Sequence, residues 1–541
     1  MKVLVSDPVS EEGIAVLRDH FKVDVITKLP VEELIRIIPE YDALVVRSET
    51  KVTAEVLDAA VNLKVIGRAG VGVDNIDVPH ATSCGIIVLN APEGITMAAT
   101  EHSVALMMAL ARNIPQAYKS MSEGKWERAK FMGVELRGKT LGIFGLGRIG
   151  TGVAKRALAL EMKIMAYDPF INLDTVNALG IEAAEIDEIL AKADFISLHL
   201  PKTPQTVDMI NKAAFAKMKK GIRIINCARG GVVNEADLAE AVKEGIVAGA
   251  ALDVFSKEPI SPDDPLLSLP QVITTPHLGA STVEAQVGVA VDVAYGIIAA
   301  LNGEPVTTAV NMAAVPAHIL KQIQPYFHLA ECLGRLAMQI AAGRLQKVTV
   351  EYNGEISQID TKMLSTGVLK GIFDFILQEG NPVNMVNAPG IAKARGIEIN
   401  EIKHQGATSY TNLITVRLHT DAGEHTVAGT LFGEESRIVY LDGHRVEVDP
   451  VDYVLFCPHE DRPGMVGQVG TTLGLAGLNI NGMQVSRSND KGVSVMVLAV
   501  DSDIPQKVLH QVQETAGVLD AKVFSFKKYM SRDKQKAPRA Q

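Results

Sequence analysis

The chain has 541 residues, too many for one hydrophobic core and enough for three or four domains. A formal net charge of -10 argues against bulk nucleic-acid binding, and 21% charged with 47% hydrophobic residues is the composition of an ordinary soluble globular protein. Cys84, Cys227, Cys332 and Cys457 are widely separated, with no disulfide framework or metal-ligand spacing, so no metal is expected and the reducing cytoplasm is the expected location.

The opening MKVLVSDPVS reads as a strand rather than a signal peptide, and no uninterrupted apolar run is long enough to span a membrane. Strand patterns over 2–6, 23–26, 43–47, 64–67 and 85–89 alternate with helical ones, which predicts a small doubly wound parallel sheet. Function then belongs beyond the carboxyl ends of those strands. These ends carry Arg47-Ser48-Glu49-Thr50, the run from Arg68 to Asp74, and Asn90-Ala91-Pro92. At such a rim Arg47 suits a fixed carboxylate or phosphate, where a lone arginine would otherwise be a solvated charge. Gly70 and Gly72 allow close backbone approach to a ligand. A long apolar helix is predicted over 100–121, followed by the basic segment 126–130 with the single tryptophan.

An apolar strand over 140–144 then runs into Gly145-x-Gly147-x-x-Gly150 and a helix to Leu160. Gly145 permits the tight turn, Gly147 the approach of a pyrophosphate, and Gly150 the packing of helix on sheet. The strand over 163–167 delivers Asp168 where a carboxylate meets the adenosine ribose, so NAD is favoured over NADP, whose 2'-phosphate it would repel. Further strands over 194–198, 222–226, 248–252 and 272–275 end in polar sequence. On those ends His199, Thr203, Cys227, Ala228 and Asp253 are candidates for the cofactor pocket, with Cys227 alternatively a small core residue. Arg229, Glu258 and His277 are the catalytic candidates: a guanidinium for a carboxylate, and an imidazole with an acid partner to move a proton. His102 and His199 lack a companion acid as plausible as Glu258, and His102 reads as a capping, packing or hinge residue. The helix after Ser281 is long enough to return the chain to the first lobe. The expected substrate domain is therefore 1–97 with 288–306, and the NAD domain 98–287 is inserted in it.

From 307 to 451 the pattern is a mixed α+β intervening domain, with helices near 325–342 and 365–377 and strands near 347–352, 412–418, 425–431 and 436–440. Asn387, Lys393, Arg395 and Lys403 form either an anion site or a solvated surface. Over 452–527 the order is strand 452–457, helix 464–476, strand 479–487, strand 492–500, helix 504–514 and strand 518–526, a ferredoxin-like βαββαβ unit. The tail 528–541 is expected to be flexible.

The blocks VVRSETKVT, IGRAGVGVDNID, NAPEGITMAATEH, LGIFGLGRIG, NCARGGVVNEADL, ALDVFSKEP and TPHLGAST together resemble the D-isomer-specific 2-hydroxyacid dehydrogenase family, in its long form acting on phosphoglycerate. The resemblance implies a Rossmann-like NAD lobe inserted in a flavodoxin-like substrate lobe. It implies NAD-dependent oxidation of 3-phospho-D-glycerate to 3-phosphooxypyruvate, the first step of phosphorylated L-serine biosynthesis. Arg229 would bind the substrate carboxylate, Glu258 would partner the histidine, and His277 would transfer the proton. Val71, Arg148, Ile149, Asp168, Asp253, Gly279 and Ala280 would surround NAD. Arg47, Ser48 and the backbone of Ala69 and Gly70 would line the substrate, with Arg128 reaching the neighbouring subunit of a homo-oligomer, a dimer or tetramer. Val71 stands where relatives often have threonine. NAPGIAKARGI resembles the intervening segment of the long form, and the last unit resembles the ACT family. There His459, Asp461, Asn479 and Ile480 are the candidate effector residues for L-serine or another small anion, with Asp461 in place of the family's asparagine. The alternatives are another D-2-hydroxy acid, such as 2-hydroxyglutarate, or a low-turnover NAD-binding sensor.

Overall fold

The computed structural model describes residues 1–170, 173–304, 306–313, 315, 317–377, 383–406, 409–487 and 492–526; the tail expected over 528–541 lies outside them. Among these residues the strands form four sheets. In the first, β1 (Lys2–Val5), β2 (Lys22–Val25), β3 (Ala43–Val46), β4 (Val65–Arg68) and β5 (Ile87–Asn90) run parallel in the order β2-β1-β3-β4-β5. This is the flavodoxin-like order, whose switch point lies between β1 and β3. The unbroken apolar runs of β1 and β3 are buried, as a sheet covered on both faces requires.

The helix Val283–Asn302 returns to this sheet. Thr282 caps it and Gly303 closes it in the left-handed region. Its apolar stripe, including Val289, Val293 and Ile297, joins the core formed by Val3, Val45 and Val65. By length and composition it is the described helix that could cross a membrane. Here that stripe is buried on the first lobe, and only glycine at position 67 leaves room for Val293 and Ile297.

The second sheet contains β6 (Thr140–Phe144), β7 (Lys163–Tyr167), β8 (Glu182–Ala183), β9 (Phe195–Leu198), β10 (Ile222–Asn226), β11 (Val247–Leu252) and β12 (Val272–Thr274). Its order, β12-β11-β10-β9-β6-β7-β8, is that of a dinucleotide-binding fold reversed at β6 and β9. The single helix expected over 100–121 is two helices, Thr96–Arg112 and Ile114–Ser122. Asn113 adopts φ 53 and ψ 37, and Pro115 follows at the start of the second helix. An asparagine tolerates that left-handed turn, and proline opens the next helix without losing a needed donor.

The third sheet joins β13 (Leu345–Gly354), β14 (Glu398–His404), β15 (Asn412–Thr420), β16 (Gly423–Phe432), β17 (Glu435–Leu441) and β18 (His444–Val448) in the order β14-β13-β15-β16-β17-β18. The helices Tyr326–Ile340 and Lys362–Ile376 supply its core, and a partly buried Arg335–Asp374 pair at 3.1 Å ties them together. The fourth sheet has β19 (Tyr453–Glu460), β20 (Ile480–Arg487), β21 (Val493–Val500) and β22 (Lys522–Ser525) in the antiparallel order β20-β21-β19-β22, with helices Met465–Leu475 and Gln506–Gln513. The last strand is shorter than the expected 518–526. Val454, Phe456, Val497 and Phe524 on its far face share one core with β18 and the helix Tyr326–Ile340.

Candidate active site

Asn226 ends β10 and folds the turn after it. Its Oδ1 accepts from Ala228 N at 3.1 Å and its Nδ2 donates to Arg229 O at 3.0 Å. A Cβ at Gly230 would overlap the carbonyl of Phe255, so this turn lies directly on the loop after β11. The Arg229 side chain crosses to the first lobe. Nη1 donates to Ala228 O at 2.7 Å, and Nε lies 3.5 Å from Asp74 Oδ2. A Cβ at Gly72 would meet Nη2, so the guanidinium lies directly on this backbone.

The loop after β11 carries two carboxylates with different tasks. Asp253 is fully buried and accepts from Thr275 Oγ1 at 2.6 Å, Leu278 N at 2.7 Å and Gly279 N at 2.8 Å. His102 Nε2 lies 3.3 Å away. Burial alone would raise the Asp253 pKa, but bonds from His102, Thr275 and Leu278 N hold it below the ordinary value. His102 therefore lies beside a buried acid and braces the turn that presents His277. Glu258 takes the other task. Its Oε1 accepts from Phe255 N at 3.0 Å and its Oε2 sits 2.8 Å from His277 Nδ1. With Nδ1 engaged, Nε2 is the nitrogen left to face a substrate. His277 adopts φ 56, held by its N–H donating to Asp253 O at 2.9 Å.

In the first lobe Asp7, beyond β1, is buried. Its carboxylate accepts from Arg47 N at 2.6 Å, Thr50 N at 3.0 Å and Thr50 Oγ1 at 2.5 Å, while Asn75 Nδ2 holds Arg47 O at 3.0 Å. The loop from Arg47 to Thr50 is thus fixed by two residues absent from the sequence-based candidates. Replacing Asp7 with alanine leaves these amides without an acceptor. At about 1–3 kcal/mol for each buried group left unsatisfied, roughly 3 kcal/mol of stability should be lost, with a raised KM for the anionic substrate and unchanged NAD affinity. Urea unfolding and steady-state kinetics measure both; an unchanged KM would remove Asp7 from the positioning of Arg47.

Arg68, at the end of β4, was also not singled out from the sequence. Burial, then the nearby charges of Arg229 and Arg47, push its guanidinium down to about 10. Its Nε is buried without a hydrogen-bond partner. Arg47, Arg68 and Arg229 therefore form a cationic pocket that an anion would relieve. Ala69 N donates to Val46 O, and Val71 O accepts from Asn90 Nδ2 at 2.7 Å, which fixes the backbone between the arginines. Ser48 is exposed at the rim of the Asp7-held loop.

Gly145 turns at φ 91, and a Cβ there would meet the carbonyl of His199 at 2.5 Å. Gly150 sits against Gly145 O, whereas a Cβ at Gly147 would project into open space beside the N-terminus of the helix Arg148–Ala159. That open cradle with unpaired helix amides fits a diphosphate. Asp168 follows β7 and accepts from Leu146 N at 2.8 Å, so the ribose-side acid and the glycine turn are linked. Arg148 reaches Glu93 of the first lobe at 3.3 Å, and Ile149 is half-buried beside it. Thr203 N is capped by Thr206 Oγ1 at 2.8 Å, and Ala280 O accepts from Gln286 Nε2 at 2.8 Å. Burial pushes the Cys227 thiol up to about 12, which keeps it protonated and unreactive.

Burial lowers His199 to about 4, while its Nε2 lies 2.8 Å from Ser197 Oγ. It is neutral at pH 7. An unfolded histidine binds a proton near pH 6.5, so stability is present above that pH and falls between about 6.5 and 4. A His199→Gln variant should show a shallower loss of urea midpoint from pH 7 to pH 5; an identical slope would show that His199 is already solvated when folded.

Family models match three stretches: the D-isomer specific 2-hydroxyacid dehydrogenase NAD binding domain over residues 104–279, the D-3-phosphoglycerate dehydrogenase intervening domain over 322–442, and the ACT domain over 453–517. A D-3-phosphoglycerate dehydrogenase of Archaeoglobus fulgidus is 47% identical over 524 residues, covering 96% of this chain and 99% of that one. The chain belongs to the D-3-phosphoglycerate dehydrogenase family. The family's Bacillus subtilis member is 40% identical, covering 96% of this chain and 99% of its own. Among solved structures, the TT0316 protein of Thermus thermophilus is similar with 34% identity and a TM-score of 0.54, covering 57% of this chain and all of that one. A glyoxylate reductase of Paecilomyes thermophila gives 29% identity and a TM-score of 0.53, covering 57% and 98%.

In the family's ACT unit, His459 is buried on β19 with Nδ1 3.1 Å from Cys457 O. Asp461 follows on an exposed turn, its N–H donating to Gly492 O at 2.9 Å, and Asn479 donates to Asn481 Oδ1 at 3.0 Å just before Ile480 opens β20. No hydrogen bond joins His459 to Asn479 among the described residues. In the intervening domain Asn387 accepts from Asn384 N at 2.8 Å and Lys403 donates to Ile359 O, while Lys393 and Arg395 are exposed. Asn387 thus bonds within its local turn and Lys403 to a backbone carbonyl, and Lys393 and Arg395 face solvent. Arg128 is exposed on a one-turn helix, Arg128–Phe131, with no ion pair among the described residues.

Proposed function

We propose that the cleft between the two lobes oxidises 3-phospho-D-glycerate at C2 to 3-phosphooxypyruvate, with Arg229 on the carboxylate and Arg47 and Arg68 on the phosphate. The observation that supports this reading is the gathering of Arg47, Arg68 and Arg229 at one rim, with Arg68 Nε buried and without a hydrogen-bond partner. NAD is held by Gly145 to Gly150, Asp168 and the turn at Asp253, and when bound it supplies the hydride acceptor. The protein's own residues do the rest. Arg229 fixes the carboxylate and so orients the neighbouring C2 alcohol. His277 Nε2 takes the hydroxyl proton as the C2–H bond breaks, and Glu258 stabilises the imidazolium that results. His102 and Asp253 keep the turn before Leu278 in place. His199, neutral at pH 7, adds no charge to the pocket.

NADH absorbance with four acids tests this. Turnover per KM with 3-phospho-D-glycerate should exceed that with D-glycerate and D-lactate by about 100-fold or more, since each hydrogen bond to a charged group is worth about 1.5–3 kcal/mol. Equal rates with D-glycerate would remove the phosphate assignment, and preference for 2-hydroxyglutarate would replace the substrate. No NADH with any acid would favour a sensor.

The protein works as a homo-oligomer in the cytoplasm, a dimer or tetramer. Ile114, Tyr118, Met121, Trp126 and Met132 form exposed apolar surface on and after the helix Ile114–Ser122, which supports pairing there and the reach of Arg128 to the neighbouring site. L-serine or a similar small anion binds the ACT unit at His459, Asp461 and Asn479.

A further inference from the structure

Away from the cleft, three donors converge on the outer side of the first lobe. Asp58 projects from the helix Ala54–Ala59, His80 from the helix Val78–Ser83, and Cys84 caps that second helix. His80 and Cys84 are separated by one helical turn, which places them on one face. Their ligand atoms and an Asp58 oxygen all lie within 4.8 Å of one another, and His80 Nε2 is 2.7 Å from Asp58 Oδ1. We propose that Asp58, His80 and Cys84 bind one divalent cation of the zinc class, with solvent as the fourth ligand.

The donor set decides the class of ion. A thiolate, an imidazole and a carboxylate suit borderline-soft zinc, whereas magnesium and calcium take oxygen ligands. Zinc bonds of about 2.0 Å to oxygen and nitrogen and about 2.3 Å to sulfur place tetrahedral ligands roughly 3.3–3.6 Å apart. The His80–Asp58 contact at 2.7 Å needs to open slightly, and the sulfur needs to close in. Asp58 is exposed and the other two half-exposed, so rotations of side chains at the surface suffice. His80 is already placed from behind, because Asp77 Oδ1 caps its backbone N–H at 3.0 Å. The next residue after Cys84 is Gly85, whose carbonyl accepts from Asn384 Nδ2 of the intervening domain at 2.6 Å. A bound cation would therefore clamp two helices of the substrate lobe beside the point where the third domain rests on it.

Cobalt(II) added to chelator-stripped, full-length protein tests the site without reference to catalysis. The expected result is a sulfur-to-cobalt charge-transfer band in the near ultraviolet with visible bands of tetrahedral intensity. Both should saturate at one ion per chain and vanish on adding zinc. Cys84→Ser should abolish the charge-transfer band, and Asp58→Asn and His80→Gln should each weaken binding by about 100-fold or more, since even outer partners of metal ligands are worth about 10- to 100-fold. Far-ultraviolet circular dichroism and NADH formation identify folded variants. Absence of the band in the unmutated protein, its survival in Cys84→Ser, or unchanged affinity in both other variants overturns the proposal, because the ion would then sit elsewhere or nowhere.

Discussion

Alanine at position 277 should lower kcat by about 10²–10⁴-fold, the usual contribution of a positioned general base. This corresponds to about 3–5 kcal/mol of barrier. The geometry makes the loss specific. Nδ1 is held by Glu258 at 2.8 Å, so Nε2 is the nitrogen free to accept the C2 hydroxyl proton. The ring is half exposed, and its removal opens no core cavity. NAD affinity, set at the glycine turn and Asp168, should stay within about threefold, because none of those contacts passes through the imidazole. Stopped-flow NADH formation and cofactor titration separate the two effects. His102 provides the control: it also has an acid partner, Asp253, but that acid is buried and occupied by Thr275, Leu278 and Gly279. His102→Gln should disturb the His277 turn and cost less than His277→Ala. A kcat for His277→Ala within tenfold of the parent, or a greater loss in His102→Gln, would transfer the base role.

What could be read from the sequence was what is encoded locally. The turn from Gly145 to Gly150 is legible because Gly145 and Gly150 answer to neighbours a few residues away or on the adjoining strand end, and Gly147 keeps the space between them open. The parallel sheets are legible because buried strands are continuous apolar runs. Strand β14, EINEIKH, was missed because it is an edge strand with mostly exposed residues and offers no apolar face to detect. The break at Asn113 was missed because asparagine within an apolar helical pattern looks like an exposed helix position; the Pro115 two residues on was the available signal. Asp7, Arg68 and the His102–Asp253 pair depend on partners distant in the chain. Asp7 sits in an ordinary strand-to-loop passage, and only the structure shows it collecting the amides of the Arg47 loop. Arg68 lay within a stretch recognised as a strand end, but its importance comes from burial beside two other arginines, which no spacing reveals. The Asp58, His80 and Cys84 cluster was hidden in the same way, apart from the one-turn spacing of its last two members.

Arginine 229 is the second site of large expected effect, and its removal should be felt differently from that of His277. Arg229→Ala should reduce kcat/KM by about 10²–10⁴-fold, the equivalent of two hydrogen bonds to a charged group at about 1.5–3 kcal/mol each. The loss should fall on both KM and kcat, since the guanidinium both holds the acid and orients the alcohol beside it. Arg229→Lys should recover only part of this, because one ammonium cannot reproduce a two-pronged contact. Stability should not follow activity downward. The contacts given up are to exposed Asp74 and to the carbonyl of the adjacent Ala228, and the repulsion that Arg229 exerts on partly buried Arg68 disappears with them. The folded variant should therefore unfold at the same temperature or slightly above, an outcome opposite to that expected for Asp7→Ala. Substrate comparison separates the arginines. Arg229→Ala should impair D-lactate and 3-phospho-D-glycerate alike, because both carry the carboxylate, whereas Arg47→Ala should impair mainly the phosphorylated acid. If Arg229→Ala spared both acids to within tenfold, the carboxylate would have to bind elsewhere, and Arg68, with its unpartnered Nε, would be the group left to hold it.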